Sequence, residues 1–361
     1  MSQASAADYV SAASALGPLV LEAQELTKDF RIGGGLSSST LSAVRAVSLT
    51  LHRGAVVALV GESGSGKSTV AKLLAGQERA TSGAILLDGQ RVTPSSRRAF
   101  RAYKSDVQMV FQDPFASINP VHKVRYPLER AVRLHQREHG RAQVAAEVVR
   151  LLEEVRLTPA EQFLARYPHE LSGGQRQRVA IARALAVQPR VLLADEPVSM
   201  LDVSIRLEVL DVIDRLRARF ELAVLYITHD IASARYFADE TLVMYAGEIV
   251  ERGPSEDLTQ RPAHPYTQLL LAAAPDPDRL GSAVPVRLLA PAGRAATGLL
   301  SSTVGCRFSP RCRFADERCR ALSPPMHRIS PQRAAACWRL DVAAPELATQ
   351  GDQERSVPLK A

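Results

Sequence analysis

Apolar runs long enough to cross a membrane are missing from this chain of 361 residues, and aromatic residues make up only 5% of it. A transmembrane helix needs about 20 consecutive apolar residues, so we expect no membrane span. The weakly apolar start, MSQASAADYVSAASALGPLVL, has no Lys or Arg ahead of it, whereas a secretory signal begins with a basic segment. We therefore expect a cytosolic protein with a flexible leader at 1–18.

Cysteine is also scarce, and it is confined to one C-terminal window at Cys306, Cys312, Cys319 and Cys337. Because the rest of the chain has none, nothing indicates a secreted, disulfide-stabilised protein. Long runs of like charge are missing too, although 45 Lys and Arg against 38 Asp and Glu give a net charge of +7. This excess fits arginines scattered over solvated faces better than a surface that binds nucleic acid, an anionic membrane or phosphorylated ligands.

Short apolar runs alternate with helical patterns through the middle of the chain. Runs typical of buried parallel strands occur at 55–61, 107–111, 191–196, 222–229 and 241–247. Apolar residues recur with helical spacing at 142–155 and 204–220. This alternation predicts an α/β fold with a largely parallel sheet covered on both faces. Residues 19–51 predict an antiparallel hairpin, and the prolines beyond residue 252 predict a loop-rich C-terminal part.

A glycine-rich loop follows the first of these buried strands and opens a helix. It matches the pattern G-x-x-x-x-G-K-[ST], and we call it the phosphate loop; its residues are Gly61, Glu62, Ser63, Gly64, Ser65, Gly66, Lys67, Ser68 and Thr69. Its backbone N–H groups and the start of the helix form an anion site. We expect Lys67 to reach the β- and γ-phosphates of a bound ATP and Ser68 to ligate Mg²⁺.

Two acidic residues end the apolar run at 191–196. Asp195 would lie at the carboxyl edge of a neighbouring parallel strand, where it can hold Mg²⁺. Glu196 is the candidate base that orients and deprotonates an attacking water. The simpler interpretation is a solvated acidic pair at a strand end, which the nearby phosphate loop makes the weaker one.

The segment LSGGQ at 171–175 is the signature of ATP-binding cassettes, and with it the chain resembles the ABC ATPase family. The resemblance implies that the signature contacts the γ-phosphate of an ATP held by a second cassette, through Ser172, Gly173, Gly174 and Gln175. A helix start suits this role because it attracts anions. With one phosphate loop and one signature, the chain is expected to work as half of a pair.

Two further motifs imply catalytic side chains. By resemblance, Gln112 in MVFQDP senses Mg²⁺ and the attacking water and joins Ser68 and Asp195 in the expected magnesium site. His229 in ITHD is implied to contact the γ-phosphate. Together with Lys67 and Glu196, Gln112 and His229 form the expected catalytic set.

Other matches concern the nucleotide and the partner cassette. Asp202 in SMLDVS belongs to the loop that crosses the interface of the pair, where Met200 replaces the usual Ala. Phe30 is implied to stack on adenine, with a packed hairpin aromatic as the alternative.

The fold class implied by the resemblance is α/β, a P-loop NTPase of the ABC type. It has a RecA-like parallel core, an N-terminal antiparallel β-subdomain and an inserted helical subdomain. The expected domains are the leader at 1–18 and a nucleotide-binding domain at 19–258 with its helical subdomain at about 113–186. A loop-rich extension at 259–345 carries the four cysteines, and a flexible tail follows at 346–361.

Three stretches narrow the resemblance to ATPases of oligopeptide, dipeptide and nickel importers. They are MVFQDPFASINP, GEIVERGPSEDL with HPYTQLLLAAAP, and GCRFSPRCRFADERC. The resemblance implies an ATPase that powers peptide import across the cytoplasmic membrane. Its implied partners are two transmembrane permeases that contact residues 113–126, a second ATPase subunit and, indirectly, an extracytoplasmic substrate-binding protein.

The same resemblance implies a peripheral protein on the cytoplasmic face of a bacterial membrane, with no nucleic-acid partner. Family habit favours a paralogue as the second ATPase subunit. The alternatives are an importer of nickel or another small solute, a redox-sensing role centred on the cysteines, and a soluble cassette acting on ribosomes or DNA.

The four cysteines suggest a metal site of their own. Their spacing, C-x5-C-x6-C-x17-C, lacks the close pairs usual in structural zinc sites, whereas a [4Fe–4S] cluster accepts ligands from separated loops. Arg307, Arg311 and Arg313 would offset the negative charge of such a cluster. We expect an iron–sulfur cluster, with zinc, free thiols or a disulfide as alternatives.

Overall fold

A computed structural model describes residues 17–33, 39–92, 97–113, 118–135, 140–273 and 304–347. The predicted leader and tail lie almost wholly outside these residues, and both stay predictions, as do the domain limits. The strands, in chain order, are β1 (Leu19–Ile32), β2 (Ser39–His52), β3 (Val56–Val60), β4 (Ser82–Leu87), β5 (Gln90–Arg91), β6 (Val107–Val110), β7 (Val191–Asp195), β8 (Ala223–Thr228), β9 (Glu240–Tyr245), β10 (Glu248–Pro254), β11 (His327–Ser330) and β12 (Arg333–Ala335).

Helices connect most of these strands. They are α1 (Lys67–Leu74), α2 (Arg97–Asp106), α3 (Arg125–His135), α4 (Arg141–Glu154), α5 (Ala160–Leu164), α6 (Gly173–Leu185), α7 (Val203–Phe220), α8 (Ile231–Phe237), α9 (Ser255–Gln260), α10 (Pro265–Ala273), α11 (Glu317–Ala321) and α12 (Leu340–Ala343). A 3₁₀ turn at Pro168–Glu170 precedes α6. Within the described ranges, every helix is too short or too polar to cross a bilayer.

The larger sheet has the strand order β11-β12-β10-β9-β3-β8-β7-β6. Neighbours from β9 through β6 run parallel, and β10, β12 and β11 pair antiparallel on the other side of β9. Val60 lies opposite Thr228, and Ala194 opposite Tyr226, so the carboxyl ends of β3, β7 and β8 meet at one edge. The parallel sheet is confirmed, and each of the five predicted buried strands is present.

β3 shows how both faces of this sheet are covered. Successive side chains of a strand point to opposite faces, and all five residues of β3 are buried. Val56, Ala58 and Val60 belong to a buried cluster that includes residues of α3, α4, α6 and α7, whereas Val57 and Leu59 belong to a second cluster with residues of β1, β2 and α1. An unbroken apolar run is therefore required at this strand.

The smaller sheet is antiparallel, with the order β2-β1-β4-β5. β1 and β2 pair over most of their length, for example Leu21 with Leu51 and Phe30 with Leu41. This pairing confirms the antiparallel hairpin expected from residues 19–51.

The C-terminal residues extend the larger sheet, where the sequence predicts only loops. β12 pairs with β10, and Glu251 lies opposite Ala335. The fully buried Glu251 carboxylate accepts hydrogen bonds from Arg333 Nη2 at 3.2 Å and from the N–H groups of Ala263 and His264 at 2.9 and 2.8 Å. β11 and β12 have four and three residues, which is too short for a recognisable period-2 pattern.

Candidate functional site

The phosphate loop connects the carboxyl end of β3 to the first residue of α1, at the centre of the sheet. Gly66 precedes the helix with a φ of 107°, a conformation that side chains disfavour. A Cβ at this position would overlap the backbone carbonyl of Ala43 on β2. Only glycine at this position allows both the backbone conformation of the loop and its close approach to β2.

Lys67 points back into its own loop. Its Nζ donates to the carbonyl oxygens of Gly61 at 2.7 Å and of Glu62 at 2.9 Å, and its side chain is buried. Burial lowers the pKa of Lys67, and the carboxylates of Glu196, Asp195 and Glu62 act in the opposite direction. The amine thus lies within electrostatic range of three carboxylates.

Ser68 and Asp195 come together from two elements. The Ser68 hydroxyl at the start of α1 donates to Asp195 Oδ1 at the end of β7, at 3.1 Å. Burial raises the pKa of Asp195, and the Ser68 hydrogen bond opposes that rise. A hydroxyl beside a carboxylate is a pair of hard oxygen donors, which is the donor type that Mg²⁺ prefers. Ser68 and Asp195 fit the predicted magnesium site, whereas Gln112, its third predicted ligand, donates to Glu196.

The Glu196 carboxylate contacts two polar side chains that follow the neighbouring strands. Gln112 Nε2 donates to Glu196 Oε2 at 2.9 Å, and His229 Nδ1 lies 3.4 Å from the same oxygen. Gln112 follows β6, Glu196 follows β7 and His229 follows β8, and these three strands are adjacent. The structure brings Gln112, Glu196 and His229 of the predicted catalytic set together, while Lys67 Nζ contacts carbonyl oxygens of the phosphate loop.

The backbone at Glu196 is strained, with a φ of 46° in the left-handed region. Its N–H donates to the Ile227 carbonyl at 3.0 Å, and its carbonyl accepts from the Ser199 N–H and hydroxyl at 3.2 and 3.1 Å. Strain of this kind persists only where surrounding contacts hold it, typically at functional sites. Ser199 is a supporting residue that the sequence analysis missed.

The signature residues form the start of α6. Ser172 is the N-cap: its hydroxyl accepts from the Gln175 N–H at 3.3 Å, and the Gln175 side chain accepts from the Ser172 N–H at 3.0 Å. A Cβ on Gly174 would lie 2.5 Å from Ile205 Cγ2 of α7, and one on Gly173 would lie 3.0 Å from Leu201. The two glycines therefore let α6 pack closely on α7 while Ser172 stays exposed.

Three other predicted residues lie around this core. Asp202 is exposed and is the N-cap residue of α7, and Met200 beside it is 58% exposed. Phe30 is half-buried in β1, with Lys28 Nζ 4.8 Å from its ring centroid. Stacking of Phe30 on adenine stays a prediction.

Comparisons with known proteins agree with this geometry. Residues 44–199 match the ABC transporter family, and residues 250–319 match the C-terminal region of oligopeptide/dipeptide transporters. The chain is 41% identical over 327 residues to the di/tripeptide transport ATP-binding protein DppF of Pseudomonas aeruginosa, an alignment that covers 88% of this chain and 97% of that protein. The chain belongs to the ABC ATPase family.

Other similar proteins support this assignment. The ABC ATPase is 36% identical over 332 residues to the oligopeptide transport ATP-binding protein OppF of Haemophilus influenzae, covering 89% of this chain and 97% of that one. Its fold matches cbiO1 of Clostridium perfringens with a TM-score of 0.59 and 26% identity, over 67% of this chain and 91% of that structure. A dimeric ATP-binding cassette bound to ADP and Pi matches with a TM-score of 0.58 and 26% identity, over 65% and 98%. The predicted cassette fold is confirmed.

The cysteines of the ABC ATPase do not support the expected metal cluster. All four are free thiols, and no group of three or more His, Cys, Asp or Glu side chains in the described ranges is arranged to hold a metal ion. Burial raises the pKa of Cys306 to about 11 and that of Cys337 to about 12. Metal ligation needs thiolates, and burial favours the neutral thiols in the metal-free chain. The described residues therefore give no support for an iron–sulfur or zinc site.

The arginines assigned to that cluster have other partners. Arg311 pairs with the Glu62 carboxylate of the phosphate loop, and Arg307 donates to the Ala246 carbonyl and lies 3.3 Å from Glu248. For Arg307 and Arg311 these contacts replace the expected role beside a cluster, whereas Arg313 remains within electrostatic range of Cys312. The sequence carried no signal for the Arg311 contact, because 249 residues separate the two side chains.

Proposed function

We propose that this ABC ATPase hydrolyses ATP to drive import of di- or oligopeptides across a bacterial cytoplasmic membrane. The observation that carries the proposal is the convergence of Gln112 and His229 on Glu196, beside the phosphate loop. The peptide cargo is supported by relatives named for di/tripeptide and oligopeptide transport.

The phosphate loop is proposed to bind the ATP triphosphate. Lys67 Nζ exchanges its two carbonyl partners for phosphate oxygens, and the backbone N–H groups at the start of α1 surround them. The Ser65 hydroxyl is buried without a hydrogen-bond partner in the described part of the chain, so it suits an additional phosphate contact. Ser68 and Asp195 would hold Mg²⁺, which neutralises phosphate charge when bound.

Glu196 is the proposed general base. Because Gln112 and His229 both contact Oε2, the carboxylate is oriented before a water arrives. The carboxylate then accepts the proton of the water that attacks the γ-phosphate. Positioning and charge neutralisation supply the rest of the rate enhancement.

A second ATPase subunit, for which we favour a paralogue, is proposed to complete the site. Ser172 is exposed at the start of α6, where the N–H groups and the helix dipole attract an anion. Met200 and Asp202 are exposed nearby in the chain and would lie in the interface. The solved dimeric cassette bound to ADP and Pi supports this arrangement.

A groove of about 620 Å³ is proposed to receive a cytoplasmic helix of a permease. It runs from Phe111, adjacent to Gln112 in the chain, along α3 to Leu134, which is 58% exposed. Arg130 and Arg183 also line it, so acidic residues are expected on the permease helix. The segment predicted at 113–126 borders the groove, although residues 114–117 lie outside the described residues. This contact would place the chain on the cytoplasmic face of the membrane.

The proposal is tested by transport in proteoliposomes. The chain is reconstituted with two permeases, a second ATPase subunit and a binding protein, and uptake of a labelled dipeptide is followed with Mg-ATP present. We expect ATP-dependent uptake that Lys67→Ala abolishes and that Lys72→Ala, on the same helix, preserves. Uptake of nickel but not of peptides would refute the peptide cargo, and absence of ATP hydrolysis would refute the whole proposal.

A further inference from the structure

We propose that Arg311 is a positioning residue for ATP binding, through which the C-terminal extension sets the charge and shape of the phosphate loop. Arg311 does so by holding and neutralising Glu62, the acidic residue inside that loop. The inference rests on the ATP site proposed above, and it adds control of that site by a distant part of the chain.

The Arg311–Glu62 contact is a two-point ion pair. Arg311 Nη1 donates to Glu62 Oε2 and Nη2 donates to Oε1, both at 2.9 Å. The guanidinium lies 5.7 Å from the ring centroids of both Tyr245 and Phe308, and the two charged side chains are only 23% and 37% exposed. A bidentate pair in a fixed aromatic setting defines the direction of the carboxylate, which a flexible surface ion pair does not.

The backbone of Glu62 is held as well. Its N–H donates to the hydroxyl of Tyr266 on α10, at 2.8 Å. Its carbonyl accepts from the Ser65 N–H at 3.1 Å and from Lys67 Nζ at 2.9 Å. Arg311 is therefore connected through Glu62 to Lys67, the lysine that would bind phosphate. Residues after β10 contact both the side chain of Glu62, through Arg311, and its backbone, through Tyr266.

Arg307 provides a second connection from the same segment. It donates to the carbonyl of Ala246, in the turn between β9 and β10. The next residue in that turn, Gly247, donates its N–H to the Ser65 carbonyl at 2.8 Å. Residues 305–312 thus contact the phosphate loop directly through Arg311 and indirectly through the turn between β9 and β10.

Charge decides the direction of the effect. A triphosphate entering the loop is strongly anionic, and the Glu62 carboxylate is close enough to interact electrostatically with Lys67. Without Arg311, that carboxylate would repel the phosphates and compete with them for Lys67. Loss of Arg311 should therefore weaken ATP binding, and simultaneous removal of the Glu62 charge should restore it.

The experiment measures, by fluorescence, the Kd of the full chain for N-methylanthraniloyl-ATP in the presence of Mg²⁺. We expect Arg311→Ala to raise Kd about tenfold at low ionic strength, and less at high salt because screening weakens the repulsion. Arg311→Lys keeps the positive charge but loses the two-point contact with the Glu62 carboxylate, so it should raise Kd less than Arg311→Ala does. The matched control is Arg313→Ala, since the Arg313 guanidinium lies over Phe314 at 4.5 Å; its Kd should stay at the wild-type value.

The double variant Glu62→Gln/Arg311→Ala separates positioning from damage to the fold. Recovery of Kd to near the wild-type value would support the proposal, because a misfolded extension is not repaired by a neutral residue in the loop. An unchanged Kd in Arg311→Ala, or no recovery in the double variant, would overturn it. If the wild-type chain failed to bind the nucleotide, the proposed ATP site itself would be refuted.

Discussion

Gln112 and Glu196 follow neighbouring parallel strands, and the Gln112 amide donates to Glu196 Oε2 at 2.9 Å. His229, after the next strand, lies 3.4 Å from the same oxygen. One strained residue is thus oriented from both sides, at the edge of the sheet where the phosphate loop begins. This arrangement brings residues that are far apart in the chain to one carboxylate, as the proposed mechanism requires.

Shortening Gln112 should slow hydrolysis without weakening ATP binding. Gln112→Asn keeps the amide but is one methylene too short to reach Glu196, so the carboxylate loses an orienting contact. We expect kcat to fall about tenfold, since misplacement of about 1 Å is costly in catalysis, while the Kd for ATP stays unchanged. Steady-state hydrolysis and nucleotide titration measure the two effects. A normal kcat in Gln112→Asn would show that this hydrogen bond is dispensable.

Acid should destabilise the chain through His264. Burial lowers the pKa of His264 to about 3 from 6.5, and Nδ1 accepts the Tyr266 N–H at 3.0 Å. The unfolded chain binds a proton below pH 6.5 that the folded chain does not bind until about pH 3, so this contribution to stability is present above pH 6.5 and is lost as the pH falls. At pH 5 the loss is about 2 kcal/mol.

A variant that cannot titrate isolates this effect. His264→Asn keeps an acceptor for the Tyr266 N–H, and its free energy of unfolding should vary less with pH than that of the wild type. Denaturant unfolding at pH 7.5 and pH 5 gives the comparison. If the wild type and His264→Asn lost equal stability on acidification, another group would be responsible.

Breaking the buried pair of Glu251 and Arg333 should loosen the C-terminal strands. Both side chains are almost fully buried, and Arg333→Met would leave the carboxylate without its counter-charge. Loss of one partner of a buried pair costs about 3 kcal/mol or more. Arg328→Met on the exposed side of β11 is the matched control and should be close to neutral. Equal unfolding midpoints for the two variants would contradict this account.

The sequence predicted those parts of the site whose residues directly follow a recognisable strand. The phosphate loop, Asp195 and Glu196 each follow a run of buried apolar residues, and a parallel sheet brings such strand ends to one edge. His229 and Gln112 follow from the same geometry once the family resemblance supplies their roles.

Long-range contacts of the C-terminal residues were not predictable from the sequence. β11 and β12 are too short to show a pattern, and the pairing of Arg311 with Glu62 joins two residues that lie 249 positions apart in the chain. The cysteine spacing predicted a metal cluster that the described residues do not support. Spacing in the sequence names candidate ligands, but it does not show whether the folded chain arranges them around a common point.

The central claim is that Glu196 acts as the base in ATP hydrolysis, and Glu196→Gln tests it most directly. Glutamine preserves the shape of the side chain and can still contact Gln112 and His229, but it cannot accept a proton. The measurement compares the Kd for ATP and the rate of hydrolysis between wild type and variant in the assembled transporter. We expect an unchanged Kd and a rate reduced about 10²-fold or more; hydrolysis at the wild-type rate would contradict the account.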